Sequence, residues 1–250
     1  MAVTTIPWGD GSGDNIYLTR NASEGDQTVA VTSDANTGYT TRTKVVTFAT
    51  GSIIRQLTVN QEGVPEPYIV FADATVEQIC ATKWGDGIGL KPSQAAAVTS
   101  IGTNFRYNTA ITSFDEFVYF TGVKTLPNSP FRGCTALRSI TLPPNLTTIN
   151  DSTFRQCSAL ISIEIPSKVT SIANASFYDT SNLGNVVVRR TSPPNLPATN
   201  TFAGSGSGKK KIYVPYSSDH SILAAYKSTA KWSDYASKIY ELNEDGTIPT

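Results

Sequence analysis

The sequence predicts a mainly β chain with short helices, in which an N-terminal β-sandwich is followed by a repeat solenoid with a helical C-terminal cap. Three observations predict it. A 23-residue period runs through the second half, the first sixty residues alternate with period two, and the last forty hold one strand-like and one helix-like segment.

The period is clearest in "FRGCTALRSITLPPNLTTI" and "FRQCSALISIEIPSKVTSI", where the polar residues differ and the apolar ones keep their places. Phe131, Phe154 and Phe177 open three units, followed by Leu137, Leu160 and Leu183, then Ile140, Ile163 and Val186, then Leu142, Ile165 and Val188. Pro143 and Pro166 end the run, and Leu146 and Val169, then Ile149 and Ile172, complete the first two units. The third unit is stretched to 25 residues before Phe202, as the last unit of a solenoid tends to be. Apolar residues two apart share one face of a strand, and a proline directly after removes a ladder donor. Each unit is therefore a short strand with a turning return. It offers about six apolar side chains worth roughly 1.5–3 kcal/mol each, against about 1–2 kcal/mol of backbone ordering per residue. One unit cannot fold alone; stacked units cover each other's flanks and fold as an array.

These residues resemble the BspA-type leucine-rich repeat (LRR) of bacterial surface proteins, through the skeleton F-x-x-C-x-x-L-x-x-I-x-[LI]-P-x-x-[LV]-T-x-I. Residues 95–126 are similar to the segment that leads into such arrays, and residues 212–242 to their closing strand and helix. The resemblance spans about residues 68–242 and implies a leucine-rich-repeat solenoid with a C-terminal cap.

Earlier in the chain, "NIYLT", "QTVAVTS", "TKVVTFAT" and "IIRQLTVNQ" alternate between Gly, Asn and Asp turns, which is the pattern of a small antiparallel sandwich. The string from Gly25 to Gln61 resembles the second half of BACON domains, immunoglobulin-like (Ig-like) modules common in gut anaerobes, through Asn36, Gly38, Arg42, Phe48, Val59 and Gln61. The first half is shortened, and the carbohydrate binding proposed for that family is carried over to no residue here. Pro65 and Pro67 mark "QEGVPEPYIV" as an extended linker. The expected organisation is a BACON-like β-sandwich over 1–63, a linker and N-terminal helical cap over 64–94, and the repeat solenoid with its cap over 95–250.

Composition narrows the function. With 20 basic and 20 acidic residues and only 16% charged positions, the chain lacks the basic face that a nucleic-acid footprint requires. The one basic cluster, Lys209 to Lys211, follows "GSGSG" and reads as a solvated loop. Only three residues separate Gly204 from Gly208, and no Ser or Thr follows the lysines, so this is not a P-loop. No apolar run approaches membrane-spanning length. The single histidine, His220, falls inside the predicted closing helix between Asp219 and Ser221, neither of which it would face. With no second histidine and no acid pair, no catalytic residue is expected. Cys134 and Cys157 share one repeat position and stack on adjacent coils, close enough to invite a disulfide. Their side chains would point in parallel, which favours buried free thiols; Cys80 is the third cysteine. "WGDGSGDN" and "WGDGIGLK" raise the question of calcium. Asp10, Ser12 and Asp14 begin the spacing of an EF-hand-like loop, but the distal glutamate is replaced by Asn21, and the second loop keeps only Asp86, with Gln94 before the alanine run. Both read as turns, so neither a metal nor a cofactor is expected.

What remains is a non-enzymatic binding or scaffolding protein. "MAVTTIPWGD" has neither the basic start nor the apolar core of an export signal. The opening "TTIPWGDGSGDNIYLT" resembles the openings of virion proteins from phages that infect gut Bacteroidetes. The first expectation is thus a phage virion protein, whether fibre, tail appendage or capsid decoration. Its N-terminal module would meet other virion proteins, and its solenoid, oligomeric on the particle, would meet a bacterial or mucosal surface glycan or protein. No nucleic acid and no membrane insertion are expected. The alternative is a secreted or cell-surface bacterial adhesin or glycan-binding protein. Arg138, Glu164 and Tyr178 are expected on the solenoid surface, Phe154 between coils, and Arg155 outward and tolerant of change.

Overall fold

Period-two alternation becomes five antiparallel strands: β1 (Val3–Pro7), β2 (Asn15–Ala22), β3 (Gln27–Ser33), β4 (Arg42–Thr50) and β5 (Ile53–Gln61). In this computed structural model, which describes residues 3–22, 27–50, 53–204 and 210–250, they form a three-stranded sheet in the order β1-β2-β3 and the hairpin β4-β5. Ile16 and Leu18 of the first sheet and Val46 of the second share a small core with Trp8. The chain divides into two units, Met1–Glu66 and Pro67–Thr250.

A buried arginine closes the first unit. Arg42 lies 4.4 Å from the centre of the Trp8 ring, and its Nη1 donates to Asp14 at 2.7 Å, Ser12 at 3.2 Å and Asp10 at 3.4 Å. Nη2 donates to the Asp34 carbonyl at 2.9 Å, and Nε and Nη2 both reach Gln61 Oε1. The guanidinium thus occupies the middle of the Asp10, Ser12, Asp14 loop. That loop is a turn, as its sequence suggests, and its cation belongs to the protein itself. Asn36 holds the adjoining loop: its Oδ1 accepts from Gly38 N at 3.1 Å and its Nδ2 donates to the Gln61 carbonyl at 3.2 Å. Four of the six residues that carry the resemblance, Asn36, Gly38, Arg42 and Gln61, therefore meet in one network. Val59 packs against the core, and the side chain of Phe48 lies outside the described residues.

The second unit opens with α1 (Ala74–Lys83) and α2 (Pro92–Ala97). Asp73 caps α1, its Oδ1 accepting from Thr75 N and Val76 N, while its Oδ2 accepts from Thr112 N at 2.7 Å and the Thr112 hydroxyl at 2.8 Å. One carboxylate so fixes both the helix start and the first coil. Pro92 stands at the first turn of α2, where its missing N–H costs nothing. Ile69 and Phe71, at the end of the expected linker, are buried in this unit's core.

The repeats follow as stacked coils with short strands: β6 (Ser113–Phe114), β7 (Thr125–Leu126), β8 (Ser139–Ile140), β9 (Thr148–Ile149), β10 (Ser162–Ile165), β11 (Ser171–Ile172), β12 (Asn185–Val188), β13 (Lys211–Val214) and β14 (Ile239–Glu241). Every pairing among them is parallel: β6-β8, β7-β9-β11 and β10-β12-β13-β14. The register joins equivalent residues one repeat apart, Ile163 to Val186 and Val186 to Ile212. The chain is mainly β with short helices, and no helix among the described residues is long and apolar enough to cross a membrane.

Inside the coils the rings stack in one column. Phe105–Phe131, Phe131–Phe154, Phe154–Phe177 and Phe177–Phe202 have centroids 5.4, 5.4, 5.3 and 5.2 Å apart. Trp84 meets the first ring at 6.2 Å, and Trp232 and Tyr235 meet the last at 6.3 and 5.5 Å. Aromatic side chains therefore close both ends of the column. At the far end α3 (Ser221–Ser228) buries Tyr226, whose hydroxyl donates to the Arg190 carbonyl at 2.7 Å, and Trp232 Nε1 donates to the Pro194 carbonyl at 2.6 Å.

The reading of Lys209–Lys211 as a solvated loop is corrected at Lys210. Lys209 lies outside the described residues, and Lys211 is exposed on β13. Lys210 is 6% exposed, with Nζ donating to the Phe202 carbonyl at 3.0 Å and lying 4.8 and 5.2 Å from the Phe202 and Tyr235 ring centres. One place before the outward Lys211, strand alternation turns it inward. Burial, with a smaller contribution from the Lys238 charge, lowers its ammonium pKa from 10.5 to about 8.

Three outcomes are expected. Phe154→Ala opens a gap in the middle of the ring column and should cost about 3–5 kcal/mol in denaturant unfolding; an unchanged midpoint would show that the rings do not hold the coils. Arg42→Ala should raise hydrogen exchange in β1 to β5, whereas calcium or a chelator should leave the wild-type melting curve where it is. Between about pH 8 and 10.5 the unfolded chain holds the Lys210 proton that the folded chain has released, so stability should rise with pH through that window. Comparing Lys210→Met with wild type across it isolates this contribution, and parallel curves would refute it.

Candidate functional site

The turn around each phenylalanine sets the surface of the stack. Two residues after the ring, Tyr107, Gly133, Gln156, Asp179 and Gly204 all have positive φ, and two residues before it Ser129, Ser152 and Ala175 do the same, all between 53° and 74°. The left-handed conformation aims each N–H along the stack. Tyr107 N donates to the Arg132 carbonyl at 2.7 Å, Gly133 N to Arg155 at 2.8 Å, Gln156 N to Tyr178 at 2.9 Å and Asp179 N to Ala203 at 2.9 Å. A backbone ladder thus runs through the turns as well as through the strands.

This ladder floors a groove of about 480 Å³ lined by Gly133 and Thr135, Gln156 and Ser158, Asp179 and Ser181, with Tyr107 at one end. The residues come in pairs, two and four places after each ring. Gly133 is constrained twice, by a φ of +74° and by Tyr107, whose Cδ1 would lie 2.5 Å from an added Cβ. The tyrosine ring leans across the glycine and stays 54% exposed.

Arginines flank that ring. Arg106 and Arg132 place their guanidinium carbons 5.0 and 5.6 Å from the Tyr107 ring centre, and Arg155 lies 5.0 Å from that of Tyr178. Arg132 Nε and Arg155 Nε are buried with no hydrogen-bond partner among the described residues. None of the three guanidinium groups takes part in an ion pair there; the ion pairs join Arg42 to Asp10 and Asp14, Arg189 to Glu164, and His220 to Glu241. The Arg106 hydrogen bond, helped by the charges of Arg132, Arg106 and Arg155, holds the Tyr107 phenol below its ordinary pKa. Positive charge therefore gathers at one end of the groove. The expectation that Arg155 is outward is corrected, since it is half-buried against Tyr178. Arg138 and Glu164 are exposed and Tyr178 is half-buried.

The other residues singled out by sequence stay apart from the groove. Asp86 closes its own turn, its Oδ1 accepting from Ile88 N and Gly89 N and its Oδ2 from the Tyr68 hydroxyl at 2.6 Å. The Tyr68 bond, followed by those backbone amides, lowers its pKa to about 2. Cys80, Cys134 and Cys157 are free and buried. The Cys134 thiol donates to the Phe105 carbonyl at 3.0 Å and the Cys157 thiol to the Phe131 carbonyl at 3.1 Å, so each points to the preceding coil's backbone. Burial pushes the Cys134 thiol up to about 12. His220 caps α3 in a left-handed conformation rather than lying inside it, and its Nδ1 meets the Glu241 carboxylate. Among the described residues no three His, Cys, Asp or Glu side chains converge as metal ligands would.

Sequence reading missed the groove. The arginine positions vary freely as far as the core is concerned, so only their common place after Phe105, Phe131 and Phe154 could have drawn attention to them. Phe105 precedes Phe131 by 26 residues, which hid it from a 23-residue period.

No curated protein matches the chain. Residues 99–221 match, in six copies, the family model described as BspA type leucine rich repeat region. The coils of that segment, ring column and turn ladder included, are thus similar to BspA-type leucine-rich repeats.

Proposed function

We propose that this chain is a non-enzymatic surface-binding protein whose repeats form a solenoid presenting the Tyr107–Ser181 groove, and whose N-terminal sandwich serves as its mounting module. The observation that supports this most is the groove itself, a polar trough crossing successive coils whose floor is backbone and whose walls are short hydroxyl, amide and carboxylate side chains, with the arginine-flanked Tyr107 ring at one end. Binding needs such a surface; catalysis needs converging acid, base or nucleophile, and the chemistry-bearing residues stand separately as turn, cap and core groups. The BspA-type repeats support the same reading, since repeats of this type suggest adhesion at surfaces.

The carrier is the finer part of the proposal. A phage particle is favoured by the opening "TTIPWGDGSGDNIYLT" alone; the bacterial cell surface is favoured by the repeat type. In either setting many copies act together, and weak contacts add through effective concentration. A tetramerised full-length chain is expected to bind intact bacterial cells or mucin-coated surfaces about 100-fold more tightly than the single chain. Equal retention of monomer and tetramer, or none of either, would remove the adhesive role. Stoichiometric copurification with phage particles, against recovery in phage-free supernatant, separates the two carriers.

A further inference from the structure

We propose that the Arg106, Arg132, Arg155 side of the groove is a binding site for an acidic polysaccharide, one whose sugar units carry carboxylate or sulfate groups. The proposal rests on the adhesive reading and specifies its ligand class. Three guanidinium groups come from three successive coils, Arg106 and Arg132 against the Tyr107 ring and Arg155 against the Tyr178 ring, and none is matched by a carboxylate among the described residues. Two of them keep an Nε–H buried with no partner there, a state that costs free energy unless a ligand oxygen or water supplies the bond. A guanidinium fork matches a carboxylate or sulfate edge with two parallel bonds, and stacking on tyrosine fixes the plane in which it is offered.

The rest of the lining selects sugar from among polyanions. Thr135, Gln156, Ser158 and Ser181 offer short groups that both donate and accept, as sugar hydroxyls do. Tyr107 is half exposed at one end of the groove, while large aliphatic anchors of the kind a peptide would use are absent from this lining. The chain's net charge is zero, so there is no broad positive field to hold nucleic acid. Thr135, Ser158 and Ser181 hold one repeat position on three successive coils, whose ring column is spaced 5.3–5.4 Å, a geometry that suits a ligand whose own recognition groups repeat along a line. Asp179 stands at the opposite end from Arg106, so an acidic chain is held by its charges near Tyr107 and by its hydroxyls further along.

The test is binding of the full chain to immobilised polygalacturonate and to the same polymer with its carboxylates methyl-esterified. Polygalacturonate should bind, esterification should abolish binding, and added salt should weaken it. Arg132→Gln and Arg155→Gln should each weaken it about ten-fold or more, while Arg138→Gln, at an exposed arginine of the Phe131 repeat that does not lie over the Tyr107 or Tyr178 ring, should leave it unchanged. Melting curves confirm that each variant is folded, and Ser158→Ala, which removes one lining hydroxyl, should give a smaller loss at full stability. Equal binding of the esterified polymer, equal loss in Arg138→Gln, or equally tight arginine-dependent capture of duplex DNA or polyglutamate would overturn the assignment. Retention of the tetramerised chain by cells with no binding to polygalacturonate would overturn this inference and leave the adhesive role standing.

Discussion

Parallel pairing between coils imposes one strand spacing of rise per repeat, about 4.8 Å, and everything in the Pro67–Thr250 unit has to fit that rise. Aromatic rings fit it because offset stacking is favourable at centroid separations only slightly larger, and the observed 5.2–5.4 Å falls there. Any residue type that recurs at one repeat position is stacked on itself. Hydroxyls accept this readily: Thr147 donates to the Lys124 carbonyl at 2.9 Å and Thr170 to the Thr147 carbonyl at 3.2 Å. Thiols at Cys134 and Cys157 solve it in the same way, each bonding to the coil before. Lysine meets an amide at one such position, Lys168 donating to Asn145 at 2.6 Å, whereas Arg106, Arg132 and Arg155 keep one position on three successive coils and rest against the Tyr107 and Tyr178 rings.

The same constraint explains the left-handed turns. A coil must reverse direction within a few residues and still direct its amides at its neighbour, and a right-handed turn points them elsewhere. Ser129, Ser152, Gln156, Ala175, Asp179 and Tyr107 each accept a conformation that costs about 1–2 kcal/mol for a residue with a Cβ. Each gains a cross-coil hydrogen bond of about 0.5–1.5 kcal/mol where it directs its amide along the stack. The two nearly cancel, so the buried apolar columns decide the sign. That is why Phe131, Phe154 and Phe177 stand between the left-handed positions: the strained turn folds only around the ring that stabilises it.

The sequence made the coil interior legible because a side chain that touches its own copy in the next coil is restricted to one type, and the restriction recurs at a fixed interval. Phe154, Leu160, Ile163 and Ile165 were readable for that reason and are buried. The turn ladder was not readable, since Tyr, Gly, Gln and Asp occupy equivalent left-handed positions and only two of the five are glycine. Lys210 was hidden by its neighbours: beside Lys209 and Lys211 it looks solvated, and its burial follows from the pairing of β13 with β12, a contact set 26 residues away. Arg42 was hidden by distance too. A loop of Asp10, Ser12 and Asp14 looks like an incomplete cation site until the hairpin brings an arginine from 28 to 32 residues further on into its centre.

Rigidity of the interior is also what makes the groove usable. Its floor is backbone fixed by the turn ladder on one side and by the ring column beneath, so a ligand meets a surface whose ordering cost was met in folding, and little of the binding free energy is lost to immobilising loops. The walls are a different matter. Thr135, Gln156, Ser158 and Ser181 project from positions that the rise does not constrain, because they face solvent and not their own copies in the core. One repeat skeleton can therefore carry many different wall compositions without loss of stability. In this chain three arginines stand beside the groove against the Tyr107 and Tyr178 rings, two of them with an Nε–H that is buried and unpaired among the described residues, and a donor held at that cost is the feature on which the proposed selectivity rests.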